Sequence, residues 1–259
     1  PHINGRPAKY MHVPAFTDAL GGYLLTFTSS GPNGGGDYIN CYSILFDVLV
    51  PAPFSWTPFF QTDPLNSDDA DFYLAADGSI GIGAIGYSSA GVMTPNAWYR
   101  VAFVADLQAG TVKYYVNGTN VKSGTSGLDG RYGLYSNADY GPDLLLFNEN
   151  DNPGGAKETH ELYVSSVAFT DKVLSAADLA ALGGPSADGI LVPSLTSQPT
   201  MAIRTSDGGA TISWSTNSIG FALEQAESLT SPQWLPVSGV TNNAAVVPTG
   251  STAKFFRLV

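Results

Sequence analysis

The chain has 259 residues, of which 44% are hydrophobic and only 13% charged, with 29 glycines, 17 prolines, a formal net charge of −11 and a pI of about 4.4. Such a negative field excludes nucleic acid and anionic membrane surfaces as partners. No apolar run approaches the roughly 20 residues of a membrane-spanning helix, so we expect no membrane insertion. The single cysteine, Cys41, excludes an intramolecular disulfide.

Short strand-like runs fill the first part of the chain. The run YSILFDVLVP is apolar on both faces, as is typical of a central buried strand. DFYLAADGSIGIGAIGY contains a hairpin turn at Asp77-Gly78, and AWYRVAFVADL and GTVKYYVNGTNV alternate with period two. With GGYLLTFTS, DLLLFNEN and HELYVSSVAFTDKVL, these runs predict two packed antiparallel sheets.

One short helix is predicted in LSAADLAALGG, where Ser175 caps the start and Gly183 and Gly184 stop it. A Pro/Ser/Gly-rich linker, residues 185–197, follows. Period-two runs then resume, among them QWLPVSG, AAVVPTG and KFFRLV. We therefore expect a domain over residues 1–184 and a small immunoglobulin- or fibronectin-like β module over residues 198–259.

Several stretches resemble a known family. TPNAWYRVAFVADLQAGTVKYYVNGTNV, with Trp98, Tyr115, Asn117 and Gly118, resembles the central hairpin of laminin-G-like, concanavalin A-like jelly rolls. YSILFDVLVP and the stretch WTPFFQTDPLNSDDADFYLAADGSIGIG resemble the front half of such domains, and FTDKVLSAADLAALGG resembles their end in exported bacterial proteins.

The resemblance implies an all-β chain: a concanavalin A-like antiparallel β-sandwich with one short helix, followed by the small second β-sandwich. It also implies a secreted or cell-surface bacterial protein. The opening PHINGRPAKYMHVPAF has neither an initiating methionine nor an apolar leader, so we expect a part of a longer multidomain chain. The fold hosts lectins, adhesion modules, glycoside hydrolases and polysaccharide lyases, so it does not by itself specify an activity.

Catalytic patterns are weak in this sequence. In KETHELYV, Glu158 and His160 share one strand face while Glu161 lies on the other, which does not make the carboxylate pair of a glycosidase. One cysteine and three scattered histidines do not supply a zinc site. The 11 basic residues show no cluster that would neutralise a uronate. We therefore expect a non-catalytic chain, with a divergent glycan hydrolase or lyase as the alternative.

Two oxygen-rich stretches, QTDPLNSDDADFY and FNENDNPGG, could hold calcium, which takes 6–8 oxygen ligands from carboxylates, amides and carbonyls. Such loops are equally the usual composition of solvated turns. The resemblance favours calcium, because laminin-G-like domains often bind one at loop ends. The candidate ligands are Asp63, Asn66, Asp68, Asp69, Asp71, Asn148, Glu149, Asn150 and Asp151.

Sugar recognition uses aromatic faces against pyranose rings, with polar groups fixing the hydroxyls. The aromatic candidates are Trp56, Tyr87, Tyr135 and Tyr140. Asp47 interrupts the apolar run ILFDVLV, either as a satisfied structural carboxylate or as a ligand-binding group in a groove. We expect a glycan- or surface-polysaccharide-binding or adhesion module, stabilised by calcium; a purely structural spacer is the second alternative.

Overall fold

A computed structural model describes residues 2–16, 21–29, 31–135, 143–150, 158–190, 201–206, 209–214, 222–230, 232–241, 243–248 and 253–258. The chain divides into two compact units, Pro1–Val192 and Pro193–Val259. Within the described residues it is built from β-strands and one helix, which confirms the predicted all-β class. No described helix has the length and apolar character needed to cross a lipid bilayer.

The first unit contains two six-stranded sheets. Sheet I has the order β12-β11-β10-β5-β14-β3, and sheet II the order β4-β13-β6-β7-β8-β9. All pairings within the two sheets are antiparallel. The strands are β1 (His2–Ile3), β2 (Arg6–Pro7), β3 (Met11–Val13), β4 (Tyr23–Thr26), β5 (Cys41–Leu49), β6 (Thr57–Gln61), β7 (Phe72–Leu74), β8 (Ile80–Ile82), β9 (Gly86–Tyr87), β10 (Trp98–Asp106), β11 (Thr111–Val116), β12 (Thr119–Thr125), β13 (Asp143–Leu146) and β14 (Leu162–Thr170). The short strands β1 and β2 form a separate hairpin.

The main core lies between the two sheets. Strand β5 sends Ile44, Phe46 and Val48 into it, and Phe46 stacks on Phe59 of β6 with ring centroids 5.8 Å apart. Phe103 of β10 is surrounded by other aromatic rings from both sheets. This aromatic packing between two sheets makes the first unit an antiparallel β-sandwich of the predicted jelly-roll type.

The outer face of sheet I is covered by helix α1 (Ala176–Leu182) and the segment after it. Ser175 caps the helix, and its hydroxyl and the Asp178 carboxylate each accept the other residue's backbone N–H. Leu179 belongs to the same buried cluster as Leu45, a residue of β5 whose side chain points away from the main core. Strand β5 is therefore buried on both faces, which is why its sequence is apolar throughout.

Residues 185–190, which the sequence assigned to the linker, belong to the first unit. The backbone N–H of Ser186 donates to Asp47 at 3.2 Å, and the backbone N–H of Ile190 donates to Ser166 at 3.0 Å. These hydrogen bonds hold the segment on the outer face of sheet I. The division between the units falls at Pro193.

The second unit contains two three-stranded antiparallel sheets, with the orders β15-β16-β19 and β18-β17-β20. Ile212, Trp214, Leu223, Ala245 and Val247 form its core. The strands are β15 (Ala202–Ser206), β16 (Gly209–Ser213), β17 (Leu223–Ala226), β18 (Leu235–Pro236), β19 (Ala244–Val247) and β20 (Phe255–Leu258).

Candidate functional site

The outer face of sheet II carries the candidate site. Tyr73 of β7 pairs directly with Gly81 of β8, and Gly81 pairs with Tyr87 of β9. Directly paired residues point to the same face of a sheet, so the two tyrosines flank a position that has no side chain. A Cβ atom on Gly81 would lie only 2.8 Å from the Cα of Tyr87. Glycine at this position therefore permits the close approach of β9.

Trp56 precedes β6 and completes an aromatic cluster on this face. Its ring lies 5.7 Å from the ring of Tyr87 and 6.0 Å from that of Tyr73, edge-on to both. Tyr73 is buried, whereas Trp56 and Tyr87 are half-buried. Trp56 and Tyr87 line a cavity of about 330 Å³, which we call the aromatic cavity. Two sugar-binding candidates that are separated in sequence thus lie in one wall.

The remaining wall of the aromatic cavity is small and polar. It is formed by Ala75, Ala76, Asp77, Ser79 and Ser88. The Asp77 carboxylate accepts hydrogen bonds from the backbone N–H of Ser79 at 2.9 Å and from its hydroxyl at 2.6 Å. These donations lower the pKa of Asp77, so the cavity has a carboxylate in its wall at neutral pH.

A second cavity, the acidic cavity, lies toward the other end of β6 and β7 and has a volume of about 490 Å³. Asp71 and Ala75 are four residues apart along the chain through β7, so the two cavities are separated by roughly 13 Å of strand. Tyr73 lies between them and donates its hydroxyl to Asp69. The acidic cavity is lined by Gln61, Thr62, Asp63, Leu65, Ser67, Asp68, Asp69, Asp71, Arg131 and Tyr135.

Arg131 neutralises part of the acidic cavity. Its Nε lies 2.5 Å from Asp71 Oδ1, and its Nη2 lies 3.7 Å from Asp69 Oδ2. Asp71 Oδ2 accepts further hydrogen bonds from the backbone N–H and the hydroxyl of Thr62, both at 2.7 Å. Burial nevertheless raises the pKa of Asp71, because desolvation outweighs these favourable contacts.

Asp63 stabilises its own loop. Its carboxylate accepts the backbone N–H of Leu65 at 2.9 Å and the backbone N–H of Ser67 at 3.0 Å. Burial opposes the shift, but the hydrogen bonds from Ser67 and Leu65 lower the pKa of Asp63. Asp68 accepts the backbone N–H of Asp69 at 2.8 Å. These contacts are those of a hydrogen-bonded turn.

The structure brings the two predicted calcium stretches together. The backbone N–H of Asn150 donates to the Asp68 carbonyl at 3.1 Å, and the Asn150 side chain donates to the Asn66 carbonyl at 3.1 Å. The carboxylate of Glu149 is buried and accepts the backbone N–H of Glu158 at 2.7 Å. Asn148 is also buried.

These contacts do not fit a metal ion in the acidic cavity. Among the described residues, no group of three or more histidine, cysteine, aspartate or glutamate side chains is arranged to hold one. The Arg131 guanidinium already supplies the positive charge beside Asp69 and Asp71. Asp151 lies outside the described residues. Calcium binding therefore stays a prediction.

Asp47 is a structural carboxylate, which corrects its assignment as a ligand-binding candidate. It is completely buried on the outer side of sheet I, beneath the segment that follows α1. Both of its oxygens accept hydrogen bonds from Arg100, each at 2.7 Å. A buried charge requires such a partner, and the partner comes from the directly paired position of the next strand.

The other aromatic candidates have different outcomes. Tyr135 lines the acidic cavity and contacts Tyr38 edge-on at 5.1 Å. Tyr140 lies outside the described residues. Sequence reasoning missed Arg131 as part of the acidic cavity and Asp77 as part of the aromatic cavity. Asp77 was recognised only as a turn residue, and nothing in the sequence around Arg131 indicates that it pairs with a carboxylate sixty residues earlier.

No protein-family model matches the chain, and no curated protein is significantly similar in sequence. Solved structures do match. A candidate carbohydrate-binding protein from Bacteroides ovatus is 18% identical, with a TM-score of 0.47, over 82% of this chain and 58% of that one. Domain 4 of AbnA, an extracellular arabinanase from Geobacillus stearothermophilus, in complex with arabinotriose, is 17% identical with a TM-score of 0.41, over 67% of this chain and 87% of that one. The CBM40 of a Ruminococcus gnavus sialidase, bound to sialyllactose, is 11% identical with a TM-score of 0.43, over 67% of this chain and 98% of that one.

Proposed function

We propose that this chain is a non-catalytic carbohydrate-binding module of a larger secreted protein, and that the aromatic cavity holds a sugar ring. The observation that carries the proposal is the pairing of Trp56 with Tyr87 in the wall of an open 330 Å³ cavity. A half-exposed aromatic ring offers its face to the apolar side of a pyranose. Within the described residues the hydroxyl of Tyr87 makes no hydrogen bond, so it can serve a ligand.

The polar wall supplies the complementary contacts. Asp77, Ser79 and Ser88 place a carboxylate and two hydroxyls beside the aromatic rings. A carboxylate accepts hydrogen bonds from sugar hydroxyls, and serine hydroxyls both donate and accept. Among the described residues one carboxylate lines the cavity, which is not the pair that glycoside hydrolysis requires. This favours recognition over hydrolysis.

Glycan binding should be tested with the full chain on a glycan array, followed by calorimetric titration of the glycans retained. Trp56→Ala and Tyr87→Ala should each weaken binding about tenfold or more, because each removes a stacking surface. Tyr10→Ala is the matched control, since Tyr10 is 43% exposed and precedes β3 of the other sheet. Wild-type affinity in both cavity variants, with loss in Tyr10→Ala, would place the site elsewhere. Turnover of a retained glycan would instead favour the hydrolase or lyase alternative.

Calcium stabilisation is a second, separable part of the proposal. It is supported by the oxygen-rich composition of residues 148–152 and by the hydrogen bonds that hold Asn150 on the Asp63–Asp71 loop. A ligand that binds only the native state raises the melting temperature. Millimolar calcium should therefore raise the melting temperature of the calcium-stripped protein. This rise should be lost in Asp151→Ala and retained in Asp63→Ala. An unchanged wild-type melting temperature would remove calcium from the proposal and leave glycan binding intact.

A further inference from the structure

We propose that the acidic cavity is a second sugar subsite, and that one oligosaccharide occupies it together with the aromatic cavity. This inference rests on the proposed glycan binding at the aromatic cavity and adds the length of the ligand. Two observations carry it. One residue connects the two cavities, and the acidic cavity contains a hydrogen-bond acceptor and a donor that no described residue satisfies.

Tyr73 of β7 connects the two cavities. Its ring lies 6.0 Å from the ring of Trp56, which lines the aromatic cavity. Its hydroxyl donates to Asp69, which lines the acidic cavity. Measured along β7, the two cavities are roughly 13 Å apart. Two sugar rings, one in each cavity, can therefore belong to the same short chain.

Gln61 gives the acidic cavity an unused acceptor. It lies at the end of β6, is 1% exposed and forms part of the cavity wall. Its Nε2 donates to the Asp68 carbonyl, which fixes the orientation of the amide. Its Oε1 is buried and accepts no hydrogen bond from the described part of the chain. A buried acceptor without a donor is unfavourable, so a ligand that supplies the donor gains free energy at this point.

Arg131 gives the same cavity an unused donor. Its side chain is 35% exposed, and its Nε donates to Asp71 at 2.5 Å. Its Nη2 donates to the carbonyls of Asp69 and Ala70. Its Nη1 donates to no residue that the structure describes. Because the carboxylate of Asp71 compensates the charge of Arg131, the free Nη1 offers a ligand a hydrogen bond rather than an unpaired cation.

These two groups together specify the chemistry of the ligand. A metal ion or an ammonium group would satisfy only the acceptor of Gln61, and a carboxylate would satisfy only the donor of Arg131. A hydroxyl group both donates and accepts, so neighbouring hydroxyls of one sugar can satisfy both. The exposed carboxylate of Asp68 lines the same cavity and adds a further acceptor. The acidic cavity therefore suits a polyhydroxylated ligand.

The consequence is a dependence of affinity on chain length. A short glycan fills the aromatic cavity alone. A glycan that also reaches the acidic cavity makes its second contact within the same complex, where the effective concentration of its free end is high. The affinity should therefore rise in one step, at the length that first spans both cavities.

The test is calorimetric titration of the full chain with cello-, xylo-, manno- and galacto-oligosaccharides, each as a ladder from mono- to hexasaccharide. For the ladder that binds, we expect affinity to rise about tenfold or more between the disaccharide and the tetrasaccharide. Asp68→Ala, at an exposed position, and Gln61→Met should each reduce this step and leave disaccharide affinity unchanged. Trp56→Ala should weaken binding at every length. Asp188→Ala is the control, since it removes an exposed carboxylate from the segment that covers sheet I.

The outcomes separate this inference from the proposed function. An affinity that does not rise beyond the disaccharide overturns the inference while glycan binding stands. A step of wild-type size in Asp68→Ala and in a folded Gln61→Met places the additional sugars outside the acidic cavity, and it also overturns the inference. Failure of every oligosaccharide and every arrayed glycan to bind removes the proposed function itself.

Discussion

Removing the charge of Asp47 should destabilise the first unit strongly without altering the glycan-binding face. Asp47 is 0% exposed and Arg100 4% exposed, and two hydrogen bonds of 2.7 Å join them. Arg100 also donates to the Leu182 carbonyl at 2.6 Å and to the Gly189 carbonyl at 3.3 Å. The ion pair therefore ties the end of α1 and the following segment to sheet I.

Breaking a buried ion pair by removing one partner costs about 3–5 kcal/mol, because the remaining charge stays buried without compensation. At about 2–4 °C for each kcal/mol in a unit of this size, Asp47→Asn should lower the melting temperature by roughly 6–20 °C. The double variant Asp47→Leu/Arg100→Met leaves no buried charge and should recover most of the loss. Arg6→Ala, which breaks an exposed pair with Asp188, is the control and should change little.

The assay is a thermal melt by near-ultraviolet circular dichroism, combined with glycan titration at a temperature where every variant is folded. Asp47→Asn should bind glycan with wild-type affinity in its folded state. If Asp47→Asn melts at the wild-type temperature, the ion pair contributes nothing to the stability of the first unit and the prediction is wrong. Wild-type stability combined with lost glycan binding would restore Asp47 as a ligand-binding group.

Three further predictions concern local structure. Gly81→Ala should disturb β9 and weaken glycan binding, since its Cβ would lie 2.8 Å from Tyr87 Cα, whereas Gly83→Ala, with no atom within 4 Å, should be neutral in the same titration. Ser175→Ala removes the helix cap and should cost about 1 kcal/mol in chemical denaturation, and an unchanged midpoint would contradict this. Hydrogen bonds from an asparagine side chain and backbone N–H groups lower the pKa of Asp129, so its contribution to stability is present above the ordinary value of 3.8 and is lost as pH falls. In melts measured across pH, the melting temperature of Asp129→Asn should therefore fall less steeply than that of the wild type as the pH is lowered into the acid range. An equally steep fall in both proteins would refute this.

The sequence predicted the long strands and the helix because their signals are local. The apolar run of β5 follows from its burial on both faces, and β10 is buried on both faces as well. Burial alternates only along the first part of β11. The Ser175 cap needs only its neighbours three residues away. By contrast, β6 reads TPFFQ, with a proline and two adjacent phenylalanines around a register shift, so it shows no regular alternation.

The composition of the candidate site was predictable only in part. Trp56 and Tyr87 were named separately as sugar-binding candidates, and their contact depends on the strand order β6-β7-β8-β9. The pairing of Asp71 with Arg131 depends on a loop that returns to the end of sheet II. Asp47 was noticed as an anomaly, but its partner Arg100 follows only from the register between β5 and β10. Long-range register is the information that one sequence does not display.

The outer face of sheet I is covered by other parts of the chain, whereas sheet II carries the candidate site, and this difference bears on function. Sheet I is sealed by α1 and by a segment anchored on a buried ion pair. Sheet II carries the aromatic cavity, in which Trp56 and Tyr87 are half-exposed, and the acidic cavity toward the other end of β6 and β7. A binding face can retain exposed aromatic rings and excess carboxylates only if stability is supplied elsewhere, since neither feature favours folding. Variants of the ion pair should therefore change melting but not affinity, and variants of the aromatic cavity should change affinity far more than melting.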